Sequence, residues 1–376
     1  MIDEFITSAQ YSVGVELELQ LVDRDSGGLV SGIKPLIDIY PDSPYIKPEF
    51  IQNTVELATR VGHSIDDVHR HMLLLAGNLK THCNELGMEL CGAGTHPFDQ
   101  QLALFTPLPR YQELKQESGI LGHLQVTFAT HVHIGVATRD DAIYLLRALK
   151  PYLPLFAALS ANSPFWRGYD TGFVAYRHRV LAASRNHCIP PSFEDWDQFC
   201  EFLEASHRAG VLESMRDVHW DIRPRPHLGT VELRVMDAQP TIDEAMQLAA
   251  LMRSLSACLL DNQNKKNDAL LPHALPWWFE RDNHYSATRL GLDANYIFNR
   301  NGDVRALGTI WQDVAEVVQP YAESLGDMAY LQRLITRVRS NRLAFARQRA
   351  CYAETGSMLA VVTSLIAELD EELGQE

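Results

Sequence analysis

Acids, histidines and arginines recur at every second position of several otherwise apolar segments, and their spacing sets what chemistry they could do. On the polar side of that alternation stand Glu16, Glu18, Glu56, His131, His133, His219, Asp221, Arg223, Glu232 and Arg234. Glu16 and Glu18 lie two apart on an extended segment, which separates their carboxylates by about 7 Å. At an effective dielectric of roughly 20, two such charges repel by about 2.4 kcal/mol. Several neighbouring acids are tolerated only if a cation neutralises them or protons are taken up. Hard oxygen donors with an occasional imidazole suit Mg2+ or Mn2+ better than zinc. His131 and His133 could ligate one ion together, but their spacing is not a zinc signature, and His133 is the one taken as a site residue. Alternating polar residues on a half-exposed strand ordinarily just face water. These differ because several strands carry them, beside an unusually long loop.

The elements that must position these groups follow from periodicity. Residues 11–23 alternate Val13, Val15, Leu17, Leu19 and Leu21 with Gly14, Glu16, Glu18 and Gln20, the pattern of a strand with one apolar face. Strands are expected at about 50–60, with Gln52, Glu56 and Arg60 on one face, at 88–91 and at 125–136. A hairpin is expected from Val218–Arg223 through the turn RPRPHLG to Thr230–Asp237, where Thr230, Glu232 and Arg234 share a face. Ser64 with Asp67 caps a helix whose apolar stripe runs from Ile65 to Leu86 and stops at Gly87. Helices are expected at 140–149 and 152–161 around Pro151, from a cap at Ser192 with Asp195, and from Thr241 with Glu244 to about Leu260. Residues 162–192 read as a long irregular loop, which inside a compact chain is usually functional. In it Phe165, Trp166, Tyr169 and Phe173 could form a lid, with core packing the expectation for Phe165. The reading is therefore α+β: a mainly antiparallel sheet, helices on its apolar face, and a polar face forming an open trough. A single catalytic domain over 1–376 is expected, with a sheet-forming core at about 11–261, an irregular stretch at 262–308, and a tail of three helices from about 309 to 376.

Composition narrows the partners. The 376 residues carry 33 Lys and Arg against 48 Asp and Glu, a formal charge of −15, and 46% are apolar. That is ordinary globular composition, long enough to bury a core unaided. No basic stripe offers itself to a phosphate backbone, so nucleic acid is not an expected partner. None of the six cysteines forms a CxxC pair, the opening MIDEFITSAQ lacks the features of a signal peptide, and the long uncharged stretch 119–138 alternates with period two, unlike a membrane span. A cytoplasmic protein with reduced thiols and no membrane association is the expectation. The loop GAGTHPF is glycine-rich but matches neither a dinucleotide fingerprint nor a Walker A loop, so a nucleotide would need metal ions and arginines to hold it.

The runs VGVELELQLVD, NTVELAT, GAGTHPF, HVHIGV, ALSANSPFWRGYDTGF, DVHWDIRP and GTVELRVMD occur in that order. Together they resemble the bacterial carboxylate–amine ligases of the glutamate–cysteine ligase type 2 family, from about residue 11 to NHYSATRLGL at 283–292. The resemblance implies a fold like the catalytic domain of glutamine synthetase, with a curved antiparallel sheet flooring the active site. It also implies ATP, Mg2+ or Mn2+, and amide-bond formation through an acyl phosphate, with glutamate and cysteine as the family's pair. The family's metal-binding acids fall on Glu16, Glu18, Glu56 and Glu232, its strand histidine on His133, and its loop arginine on Arg177. Arg177, Arg223 and Arg234 are the expected catalytic guanidiniums, Arg223 and Arg234 also holding nucleotide, since the guanidinium fork matches phosphate and carboxylate. The segment VAYRHRVLAASRNHCIPPSF departs from the family, which commonly has a serine before the loop arginine and then a Phe–Pro step and a glycine turn. That departure bears on substrate identity more than on chemistry.

Small carboxylate and amine substrates, amino acids among them, are therefore the expected partners; a homodimer is the working expectation for assembly. Two other readings keep the scaffold: a phosphotransferase stopping at a phosphorylated product, and an inert metabolite-binding protein. No enzyme nucleophile is needed, so the cysteines are read as ordinary thiols, Cys188 in the variant loop being the least settled.

Overall fold

The computed structural model describes residues 4–374 except 186, 188, 266, 268, 269 and 273, so Cys188 lies outside the described residues. The strands in chain order are β1 (Val13–Asp23), β2 (Ile46–Pro48), β3 (Thr54–Ala58), β4 (Met88–Cys91), β5 (Ala129–Gly135), β6 (Phe165–Trp166), β7 (Tyr169–Asp170), β8 (Ile222–Arg225), β9 (Thr230–Asp237), β10 (Asn295–Ile297) and β11 (Val304–Ala306). The main sheet runs β2-β3-β1-β5-β9-β8, with β4 also pairing β1, and its strand pairs are antiparallel. β1 is its hub. Glu16–Gln20 meet β3, Gln20–Asp23 meet β4, and Val13–Leu17 meet β5.

The alternation fixes which side faces the helices. Val13, Val15, Leu17, Leu19 and Leu21 are all buried in the main core, as are Val55, Leu57, Val132, Ile134, Val231 and Leu233 on neighbouring strands. The helices Ile65–Glu85 and Ile242–Asp261 both contact β1, the second being buried along nearly its whole length. Ser64 and Thr241 cap them as expected, each side chain accepting from the backbone N–H three residues on. This is the expected α+β architecture. The apolar stretch Arg139–Leu159 has the length and composition of a membrane span, but 89% of its most apolar window is buried inside the fold.

Several expectations are corrected. The helix near 192 starts at Trp196 with Asp195 as its cap, because the Asp195 carboxylate takes the Gln198 N–H while Ser192 Oγ is occupied by Lys150 Nζ. The stretch 262–308 is not irregular throughout: it holds the helix Trp277–Leu290 and the β10–β11 hairpin. That helix begins at Pro276 with no side-chain cap, so its start carried no signal. The tail has four helices, Leu307–Leu325, Met328–Arg339, Ala344–Thr355 and Met358–Leu373. The aromatic loop splits in role: Phe165 is buried against Tyr352, whereas Tyr169 is 72% exposed.

One buried ion pair ties the N-terminal strand to the C-terminal helices. Arg253 on Ile242–Asp261 donates to Tyr11 O at 2.7 Å, His63 O at 2.6 Å and Asp327 Oδ2 at 2.7 Å. The Asp327 side chain is fully buried, and its other oxygen takes the Ile65 N–H. Replacing Arg253 by Met strands that carboxylate and should cost about 3–5 kcal/mol, the scale for breaking a buried pair. Urea unfolding should show this, and Asp327→Asn added to Arg253→Met should recover part of it, since the two positions share one interaction.

Candidate active site on the floor of the sheet

The register lays the polar residues out as a row across the sheet. Lys47 on β2 lies opposite Glu56, Glu56 opposite Glu18, Glu16 opposite His131, His133 opposite Glu232, and Glu232 opposite Arg223. Residues up to 216 positions apart in the chain thus become neighbours only because six strands pair in this order. The face is less open than the sequence suggests, for Glu56, His131, His133, Arg223 and Glu232 are all buried.

At one end of the row the acids crowd. One ligand atom each from Glu18, Glu56 and His131 lies within 4.8 Å of the others, and so does one each from Glu16, His131 and Glu232. His131 Nδ1 sits 3.2 Å from Glu16 Oε2, and its Nε2 3.8 Å from Glu18 Oε1. His133 Nε2 is 3.7 Å from Glu16 Oε1 and 4.0 Å from Glu232 Oε1. His131, the imidazole given less weight from the sequence, is therefore the one common to both groups. Among the described residues, the Nε2 atoms of both histidines are buried without a hydrogen-bond partner. Buried imidazole nitrogens are normally satisfied, so unpaired nitrogens aimed at carboxylates fit a site for a divalent cation.

The electrostatics agree with crowding. Burial, then the Glu16 charge, pushes the Glu56 carboxyl well above the usual range, and burial raises Glu18 to about 7 despite Arg177 nearby. Burial and the charge of Glu18 raise Glu49 to about 7 as well. Glu16 behaves oppositely: burial works against its ionisation, but hydrogen bonding from His131 and His133 outweighs this and holds it well below the usual value. Burial, reinforced by Arg234, lowers His131 to about 3, leaving a neutral imidazole suited to ligation.

The other end of the row is guanidinium-rich. Glu232 accepts from Arg223 Nε at 2.7 Å and Arg225 Nη1 at 3.1 Å, and from Arg234 as well. All three donor nitrogens of Arg223 are used inside the protein, two by Glu232 and one by Val218 O. Arg223 therefore clamps Glu232. Arg177, on the short helix Arg177–Leu181, is different: its guanidinium reaches the backbone carbonyls of Arg234 and Val235 at 3.2 and 3.4 Å, its Nε has no partner among the described residues, and the Asp237 carboxylate stands 4.0 Å away.

Asp237, Lys47 and Glu49 were not found from the sequence. Strict alternation puts Asp237 on the apolar face with Val231, Leu233 and Val235. The β5–β9 register slips between Thr130 and Val132, a bulge that turns Asp237 to the other side opposite Ala129 and offers the Arg234 and Val235 carbonyls to Arg177. Asp237 Oδ2 takes the Asn162 N–H and the Ser163 hydroxyl, and burial raises its pKa to about 6 against the pull of Arg177. The glycines of GAGTHPF serve this packing. A Cβ on Gly94 would stand 2.5 Å from Asp237 Cγ, and one on Gly92 would stand 2.1 Å from Gln239 O. Lys47, 3.0 Å from Glu56, sits on a strand of three residues, too short to show a period. His219 and Asp221 also lie near the arginines rather than among the acids. Burial raises the Cys83 and Cys91 thiols to about 12, as expected of inert thiols.

Replacing Glu232 by Gln would leave Arg223, Arg225 and Arg234 packed together without their counter-charge. The expected cost is about 3–5 kcal/mol in urea unfolding. Added phosphate should restore part of it by entering as a substitute anion, while leaving the parent protein little changed.

The comparisons with known proteins point one way. The model of the glutamate–cysteine ligase family 2 matches residues 12–364. A relative from Trichormus variabilis named "Putative glutamate--cysteine ligase 2" is 43% identical over 370 residues, covering 98% of this chain and 95% of that protein. One of the same name from Thermobifida fusca is 37% identical over 372 residues, covering 97% and 92%. Among solved structures, the glutamate–cysteine ligase of Francisella tularensis in complex with AMP aligns with a TM-score of 0.69 at 14% identity, over 99% of this chain and 94% of that one. The complex of the prokaryotic ubiquitin-like protein Pup with its ligase PafA gives a TM-score of 0.55 at 13% identity, over 92% and 68%. At such identities the solved structures establish a shared fold. The sequence relatives and the family model go further, and this chain belongs to the glutamate–cysteine ligase family 2.

Proposed function

We propose that the protein is an ATP-dependent carboxylate–amine ligase working through an acyl phosphate on small substrates, with glutamate and cysteine the first pair to test. One observation carries this reading: Glu16, Glu18 and Glu56 converge on His131 within one buried row that ends in arginines. A carboxylate resists amines because its oxygen leaves poorly. Attack by that oxygen on the γ-phosphorus of ATP breaks the bond to the β-phosphate oxygen and releases ADP. The amine nitrogen then forms the C–N bond, phosphate leaves with the carboxylate oxygen, and the nitrogen gives up a proton. Such catalysis is mostly positioning and charge stabilisation.

In this reading Glu16, Glu18, Glu56, His133 and Glu232, with His131 between them, hold Mg2+ or Mn2+. The bound ion would neutralise the phosphate charge during transfer. Arg234 and Arg177 would meet anionic oxygens, a role supported for Arg177 by the lack, among the described residues, of a carboxylate at hydrogen-bonding distance. Arg223 contributes by fixing Glu232, and its reach for nucleotide is indirect. The divergent loop after Arg177 adjoins these arginines, which is why the amine and carboxylate need to be found by screening.

The test is amine-dependent release of ADP and phosphate across amino-acid pairs, with the product identified by mass spectrometry. An amide supports the ligase; ADP with a stable phosphoryl compound supports phosphotransfer instead. Glu16→Gln should lower turnover by about 10²–10³, the scale for one preorganised electrostatic element. Wild-type turnover in this variant would reject the assignment. Because Glu18 holds its proton up to about pH 7, a dication bound there must displace it. Mg2+ affinity should therefore rise between pH 6 and 8 and level off above. Calorimetry in buffers of different ionisation enthalpy should register proton release at pH 6.5 that fades by pH 8.5.

A further inference from the structure

A second set of ligating side chains stands outside the acid-rich end of the row. His178 on the helix Arg177–Leu181, Asp221 just ahead of β8 and His284 on the helix Trp277–Leu290 each place a ligand atom within 4.8 Å of the others. His284 Nε2 is 3.4 Å from Asp221 Oδ2, and the two imidazoles meet edge to face with centroids 4.8 Å apart. His178 is 4% exposed and His284 8%; among the described residues the Nε2 of His178 lacks a hydrogen-bond partner, and that of His284 faces only the Asp221 carboxylate. Burying a polar nitrogen unsatisfied beside an imidazole–carboxylate pair is costly, and native interiors avoid it. A ligand between them would remove that cost.

We propose that His178, Asp221 and His284 form a separate site for a borderline divalent ion of the Zn2+ class. Two imidazoles and one carboxylate make a three-donor set that suits Zn2+ or Co2+ and leaves a position open, in contrast to the oxygen-rich floor suited to Mg2+. Arg177 and Arg179 flank His178 in sequence, so the surroundings are cationic, and the open position favours an anionic donor such as a carboxylate or thiolate. The site would tie the divergent loop to the helix Trp277–Leu290 and set that loop's position. It does not depend on the ligase reading.

The test is Co2+ titration of the full chain with the floor saturated by Mg2+, read by visible ligand-field absorption and by equilibrium dialysis. The parent should bind one Co2+ per chain. His284→Gln and His178→Gln should each weaken binding by at least about 100-fold, since loss even of an outer-shell partner costs about 10–100-fold. X-ray absorption of the Zn2+-loaded parent, which needs no variant, should show two imidazoles bound. No Co2+ retained against Mg2+, parent-like binding in both variants, or fewer than two imidazoles around zinc would each overturn the proposal.

Discussion

Glu18, Glu49 and Glu56 cannot all be ionised where the sheet puts them. Removed from water and placed beside Glu16, they hold protons at pH values where free glutamates have lost theirs. A chain that accepts this strain in its folded state has stored a preference for positive charge at one place. Most other features of the row follow from it. Lys47 supplies one partial answer at the edge, 3.0 Å from Glu56, and His131 stays neutral between the two groups of acids. A dication would answer the rest.

The arginine end solves the inverse problem. Arg223, Arg225 and Arg234 converge on one fully buried carboxylate, and Glu232 keeps them together against their mutual repulsion. In the proposed function a metal-bound anion would lie along this row, acidic at one end and guanidinium-rich at the other, with each end meeting the charge it lacks. The bulge in β9 extends this end. It exposes two carbonyls that hold Arg177 in place without spending its charge on a close carboxylate.

What could be read in the sequence was whatever repeats. The two-residue alternation of β1 and β9 located Glu16, Glu18, Glu232 and Arg234 correctly on one face, and β4 and β9 have the bounds expected. The interruptions could not be read. Asp237 was hidden because a bulge is a pairing event between two strands, and nothing in β9 alone marks it. Lys47 and Glu49 sit on or beside a three-residue strand with no period to detect. The helix Trp277–Leu290 starts without a capping side chain, and the Ser192 cap failed because a lysine from another helix end took the hydroxyl. Spacing alone does not rank His131 against His133; depth in the sheet, which decides how many acids a ring can touch, is not written in it.

Where a divalent ion binds decides the role of the acidic row most directly. Anomalous scattering from crystals grown with Mn2+ and a non-hydrolysable ATP analogue measures that without any assumption about substrate. The predicted result is manganese within coordinating distance of Glu16, Glu18 and Glu56 with the triphosphate extending toward Arg234 and Arg177. Manganese bound elsewhere, with those three carboxylates paired only to protein, would contradict it.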